Sequence, residues 1–189
     1  MSILCFAGSL RQDSNNKKLA RHAARLIEEL RLATAECLDL ADYPMVIYDG
    51  DIEQSGAPVS VAKLGAKIGA SAALVIATPE YNGGISGVLK NSVDWLSRLK
   101  PMPLRDKHLL LLSTSPGPWG GVRGLWHSRV PFEALGVHVF PQMISIPMAH
   151  AAFDERERLT GERATQLENL LRAFVPHATA AAAARKAAA

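Results

Sequence analysis

Three short, uninterrupted apolar runs constrain this chain more than any other feature. They are residues 3–7 (ILCFA) closed by Gly8, 72–77 (AALVIA) closed by Thr78-Pro79, and 109–112 (LLLL) closed by Ser113. Runs of this length are too short for helices, and continuous rather than alternating hydrophobicity marks strands buried on both faces of a parallel sheet. Helical spacing fills the intervals. Residues 16–31 place Leu19, Ala23, Leu26, Ile27 and Leu30 on one side, with Lys17, Lys18, Arg21, Arg25 and Glu28 on the other. A second strand is expected at 35–40 and a second helix at 58–69, after a long connection that opens at Asp42-Tyr43-Pro44. A third helix over 86–99 carries Val88, Leu89, Val93 and Leu96 on one face, and the fourth strand covers 108–113. A helix at 122–135 should be kinked or split by Pro131. A fifth strand is expected at 137–140, an irregular or edge segment at 142–150, and a last helix at 160–175. Five strands alternating with five helices predict an α/β fold, a doubly wound five-stranded parallel sheet with helices on both faces. Its ligand site belongs at the carboxyl ends of strands one, three and four.

Composition narrows the function. The chain has 189 residues, 48% hydrophobic and 21% charged, which suits one globular domain. The domain is expected over residues 1–177, followed at 178–189 by an alanine-rich tail, either a frayed helical extension or disordered. The net charge of +3 and pI near 9.0 come from 21 basic residues scattered among 18 acids. No nucleic-acid partner is expected; a mildly positive field suits anionic small molecules and disfavours an electron carrier that docks through an acidic face. Cys5 and Cys37 lack CxxC or metal-ligand spacing, so both are expected buried and unpaired. The six histidines show no HExxH pattern and no serine sits in a GxSxG elbow, which argues against a metal centre and a hydrolase triad. No apolar stretch approaches a membrane span and the start lacks a basic leader, so no membrane partner and a cytoplasmic location are expected.

Three loops should meet at the sheet's carboxyl edge. The first, residues 8–16 (GSLRQDSNN), runs into a helix amino terminus, whose unpaired N–H groups and positive dipole end suit a phosphate. Ser9, Ser14, Asn15 and Asn16 can add hydrogen bonds and Arg11 adds charge. On the competing reading, Ser14 or Asn15 simply caps the helix. GxxxxGK[ST] is missing, and Gly8 alone cannot supply GxGxxG, so a mononucleotide fits better than a dinucleotide. The second loop holds Pro79, Glu80, Tyr81, Asn82 and Gly83. Here a flat heteroaromatic ring can lie against backbone N–H groups and Tyr81, although Tyr81 also reads as an ordinary half-buried aromatic. Glu80 reads as a ring anchor or a helix amino-terminal charge in preference to a proton donor. The third loop supplies Ser113, Thr114, Ser115, Gly117 and Gly120. Arg123, His127 and Arg129 read as a solvated helix face or as contacts to a nicotinamide nucleotide's phosphate.

Gly8-Ser9-Leu10-Arg11 with Ser14 and Asn16, then Pro79-Glu80-Tyr81-Asn82 and the continuing Gly87-Val88-Leu89-Lys90-Asn91-Ser92-Val93-Asp94-Trp95, together resemble the NADPH-dependent FMN reductases. That family includes quinone, azo and chromate reductases, and the likeness spans residues 2–175. The resemblance implies a flavodoxin-like fold in which Ser9, Arg11, Ser14 and Asn16 hold the FMN phosphate. Residues 79–83 would meet the isoalloxazine edge and 113–121 would line its far side. It implies FMN as cofactor and NADPH or NADH as donor. Two electrons would pass by hydride transfer to a small-molecule acceptor: a quinone, an azo compound, chromate or free flavin. No catalytic side chain is implied. Family members are homodimers or homotetramers, which makes Trp95 and Leu99 candidates for a subunit interface. Two rivals share the fold: a flavodoxin-type electron carrier and a flavin-free binding domain.

Overall fold

The computed structural model describes residues 2–188, with strands β1 (Ser2–Ala7), β2 (Thr34–Leu38), β3 (Ala73–Ala77), β4 (Glu80–Tyr81), β5 (Gly84–Ile85), β6 (His108–Thr114), β7 (His138–Val139) and β8 (Ile144–Ile146). The helices are α1 (Asn15–Glu29), α2 (Gly50–Glu53), α3 (Val59–Ala70), α4 (Gly87–Leu96), α5 (Val122–Ala134) and α6 (Gly161–Ala188). The main sheet is parallel, in the order β2-β1-β3-β6-β7, with β8 also against β6. This is the flavodoxin-like order, and its direction reverses between β1 and β3.

The apolar runs are buried as their continuity requires. Alternate residues of β1 serve the two faces: Ile3, Cys5 and Ala7 meet Leu19, Ala23 and Ile27 of α1 and Leu167, Leu171 and Phe174 of α6. Leu4 and Phe6, with Leu74, Ile76, Leu109 and Leu111, meet Leu64 and Ile68 of α3, Leu89 and Val93 of α4, and Phe132 of α5. Each fully buried leucine or isoleucine contributes about 1.5–3 kcal/mol by leaving water, so a strand apolar on both faces is stable only between two helical layers.

Several expectations change. The fifth strand is split: β7 pairs with His108 and Leu109, and β8 pairs further along with Leu112, Ser113 and Thr114. Pro141 lies in the gap, where it offers no N–H to a ladder. The segment 142–150, read as irregular or as an edge, thus includes a short strand paired to β6 alone. Pro131 does not split α5. Lys17, placed by periodicity on the solvent side, is buried; its Nζ bonds Asp39 Oδ2 at 2.6 Å and ties α1 to the end of β2. Cys37 is exposed rather than buried, beside Cys5 in register across β1 and β2, and both are free thiols. The alanine-rich stretch is helical, and α6 continues through residue 177, with Ala178 and Ala182 packed in the core. None of the described helices is long and apolar enough to cross a membrane.

Candidate functional site

The loops after β1, β3 and β6 leave three adjacent parallel strands at the same edge, beside the reversal between β1 and β3. Their spacing is set by hydrogen bonds between loops. Gly8 N–H donates to Ala77 O at 2.9 Å, and the fully buried Ser86 hydroxyl donates to Gly8 O at 2.7 Å while accepting from Leu89 N–H at the start of α4. Ser113 Oγ donates to Thr78 O at 2.7 Å, joining the second and third loops.

The first loop keeps its polar groups at the helix entrance. Ser14 is the N-cap residue of α1 in extended conformation, yet its side chain makes no capping hydrogen bond. The first N–H to bond back is that of Lys18, to Ser14 O at 3.1 Å, so the N–H groups of Asn15, Asn16 and Lys17 have no acceptor within the helix. Ser9 is buried and accepts from Arg11 N–H at 3.3 Å, while Arg11 itself is exposed. Asn16 also ties the first loop to the third. Its Nδ2 donates to Thr114 O at 2.9 Å and its Oδ1 accepts from Thr114 N–H at 3.0 Å, so the amide clasps the end of β6. It positions the phosphate-type loop, with one Nδ2–H already donated to Thr114 O.

The second loop is a hairpin, which sequence reading missed. Glu80 pairs with Ile85 and Tyr81 with Gly84, and Asn82 (φ 51°) and Gly83 (φ 78°) form the turn. Two successive positive φ values are what an Asn-Gly type I′ hairpin requires, so the dipeptide was the available signal. Pro79 is buried, and Tyr81 and Asn82 are exposed at the tip. Glu80 supplies the helix amino-terminal charge, but to α5: its carboxylate accepts from the N–H groups of Arg123 (3.0 Å) and Gly124 (3.2 Å) and pairs with the Arg123 guanidinium at 2.6 Å. Burial opposes ionisation, but these donors win and hold the carboxyl below its usual range, which suits an anchor and not a proton donor.

The third loop uses its hydroxyls internally. Thr114 Oγ1 donates to Ile146 O at 2.9 Å, Ser115 N–H to the same carbonyl at 3.2 Å, and Ser113 is committed to Thr78. Neither glycine at its end admits a side chain. A Cβ on Gly120 would lie 2.7 Å from Ile146 backbone atoms, and one on Gly121 (φ 88°) 2.1 Å from Ser113 Oγ. Both serve close approach within the protein. Ser115 and Gly117 remain half-buried on the loop. Arg123 is taken by Glu80 and Arg129 by Glu133 and Phe140 O, while His127 is exposed.

Beside the first loop, the long connection after β2 is pinned by α4. Asn91 Oδ1 accepts from Tyr48 N–H at 2.8 Å, and Asn91 Nδ2 and Trp95 Nε1 both donate to Val46 O, at 2.9 and 2.8 Å. Trp95 is fully buried, so it is core and not interface. A small cavity of about 180 Å³ lies between Leu10, Pro44, Met45, Val88 and Asn91.

Fold and site together define a flavodoxin-like α/β protein whose switch-point loops present an uncapped helix terminus beside an exposed hairpin tip. The chain belongs to the NADPH-dependent FMN reductase family, whose model matches residues 1–151. It is 34% identical to an NAD(P)H-dependent FMN reductase of Pseudomonas aeruginosa, over 88% of this chain and 89% of that one. It is 38% identical to a quinone reductase of Escherichia coli K12 over 68% of each. Among solved structures it is similar to FerB, a flavoenzyme NAD(P)H:(acceptor) oxidoreductase from Paracoccus denitrificans, with TM-score 0.79, 29% identity and coverage of 93% and 95%.

Proposed function

We propose that this protein is a cytoplasmic, FMN-dependent NAD(P)H oxidoreductase that reduces a small quinone-type acceptor by two electrons, with free flavin, azo compounds and chromate as further acceptors of the same chemistry. The observation that carries this reading is the entrance of α1. Ser14 stands at the N-cap without capping, three N–H groups behind it have no helical acceptor, and Arg11 stands exposed nearby. An anionic phosphate satisfies all of these groups at once. Ser9, Arg11, Ser14 and Asn15 bind it, and Asn16 holds their loop against β6. The hairpin tip, Tyr81 to Gly83, offers an aromatic face and backbone N–H groups to a flat ring, and the loop from Ser115 to Gly120 offers N–H groups that favour charge developing at its polar edge.

Bound FMN supplies the hydride acceptor and donor. The chain orients it and leaves one approach open to nicotinamide and acceptor in turn. The family and the similarity to quinone reductases favour the quinone-type acceptor. A homodimer or homotetramer is part of the same reading. Trp119 of the third loop and Trp126 and Val130 of α5 are exposed by 69, 59 and 68%, large apolar side chains that a second copy would cover.

The test is the visible spectrum of the purified protein, followed by NADPH and NADH oxidation with quinones, azo dyes, chromate and free FMN. Flavin absorbance with acceptor-dependent multiple turnover is expected. A flavin that turns over with no acceptor unless a separate reductase is added would assign the protein to the carrier class. A colourless protein that gains no flavin absorbance with FMN would assign it to the binding-domain class.

A further inference from the structure

At the opposite, amino-terminal edge of the sheet lies a cavity of about 440 Å³, within the usual size of small-molecule sites. Arg105, Lys107, Arg185 and Lys186 line it, and no carboxylate does so among the described residues. Arg105, Arg185 and Lys186 take part in none of the ion pairs among those residues. Lys107 is buried, with its ammonium on Gly69 O at 2.9 Å and on Ser71 O, where α3 ends. Burial first, and then Arg185 and Lys186, push its pKa down to about 8, the response of a cation withdrawn from water beside like charges.

Helix ends explain part of this arrangement. Lys107 satisfies carbonyls after α3, and Arg185 and Lys186 sit in the last turn of α6. Each helix end carries only about half a negative charge, so two of them leave most of four positive charges uncompensated. A second cavity of about 340 Å³ shares Gly69, Pro101 and Pro103 with the first. Ala62, Ala66 and Leu99 make its lining largely apolar. A charged chamber thus adjoins a greasy groove along α3.

We propose that this edge binds a small amphiphilic anion, a phosphate monoester whose head meets Arg105, Lys107, Arg185 and Lys186 and whose apolar body lies in the groove beside Ala62, Ala66 and Leu99. Four cations match a dianion better than a carboxylate, and guanidinium groups match phosphate oxygens in pairs. The site is separate from the FMN loops and independent of the acceptor.

The test uses the full chain saturated with FMN, so that the phosphate-type loop is filled, and titrates inorganic phosphate and phenyl phosphate. Binding is followed by calorimetry and by the methyl resonance of Met102, which lines the cavity, with Met148 beside the third loop as the remote control. Phenyl phosphate should shift Met102 saturably, leave Met148 unmoved, and bind several-fold more tightly than inorganic phosphate. The double substitution Arg105→Gln and Arg185→Gln should weaken both roughly tenfold or more. Unchanged affinity in that variant, equal affinity for the two probes, or no saturable binding at about 10 mM would overturn the proposal. So would binding to phosphatidylglycerol vesicles without any response to the soluble ester, which would make the patch a membrane-docking surface.

Discussion

At the scale of single residues, the site turns on which polar groups the protein has already satisfied. Ser14 makes no capping bond, so Ser14→Ala should leave the apoprotein's unfolding free energy within about 0.5 kcal/mol of wild type while weakening FMN binding roughly tenfold. Denaturant unfolding and flavin titration measure the two effects, and a stability loss with unchanged affinity would restore the capping reading. Arg11→Ala removes a charge-assisted contact, expected to raise the FMN dissociation constant roughly ten- to a hundredfold. Flavin retention equal to wild type after dialysis would contradict that. The polar character of this loop was legible from sequence, whereas the diversion of Asn16 to Thr114 and of Glu80 to α5 was not. Both depend on partners 98 and 43 positions away. Lys17 was misplaced for a similar reason: periodicity places a residue on a helix face but cannot see that Asp39 of the neighbouring strand end waits there.

Elements were readable wherever hydrophobic period and length agreed. Strands β1, β3 and β6 are continuous apolar runs, and α1 has its apolar residues at helical spacing, so their types and approximate bounds follow from burial alone. The hairpin strands β4 and β5 escaped, and the split of the fifth strand into β7, inside the expected 137–140, and β8 was not foreseen, because elements of two or three residues are defined by ladder partners and carry too few positions to show a period. The ties between elements then become the test of how the loop cluster is held. Asn16→Ala leaves Thr114 N–H and O unpaired in a buried setting, at a cost of about 1–3 kcal/mol, or several degrees in Tm for a chain of this size. Because α1 would lose its clasp on β6, FMN affinity should fall with stability, unlike in Ser14→Ala. Calorimetric melting with parallel flavin titration separates the two behaviours, and an unshifted Tm would remove Asn16 from the scaffold.

At the scale of the whole molecule, the buried His22 and the half-buried His108 make stability depend on pH. His22 is buried with neither ring nitrogen hydrogen-bonded, and its pKa is lowered to about 4, mainly by burial and then by Arg25. His108 is lowered to about 4 by burial and then by His138 and His177, whose rings lie 4.9 and 5.0 Å away. An unfolded imidazole titrates near 6.5, so between about 6.5 and 4 the unfolded chain takes up protons that the native state refuses. Urea midpoints should therefore fall through that window as the pH drops, and His22→Leu should flatten the fall; an unchanged slope in the variant would acquit His22. Removing residues 178–189 should lower Tm, since Ala178 and Ala182 pack in the core, and an equal Tm would show that the end of α6 is dispensable. The sequence alone determined the parallel α/β architecture and the meeting of three polar loops at its carboxyl edge, because these rest on hydrophobic period, chain handedness and local polarity. Only the tertiary structure decided which polar groups remain available to a ligand, and that a cationic chamber forms at the opposite edge. Hydrogen-bond partners and uncompensated charges are properties of residues far apart in the chain that folding brings together.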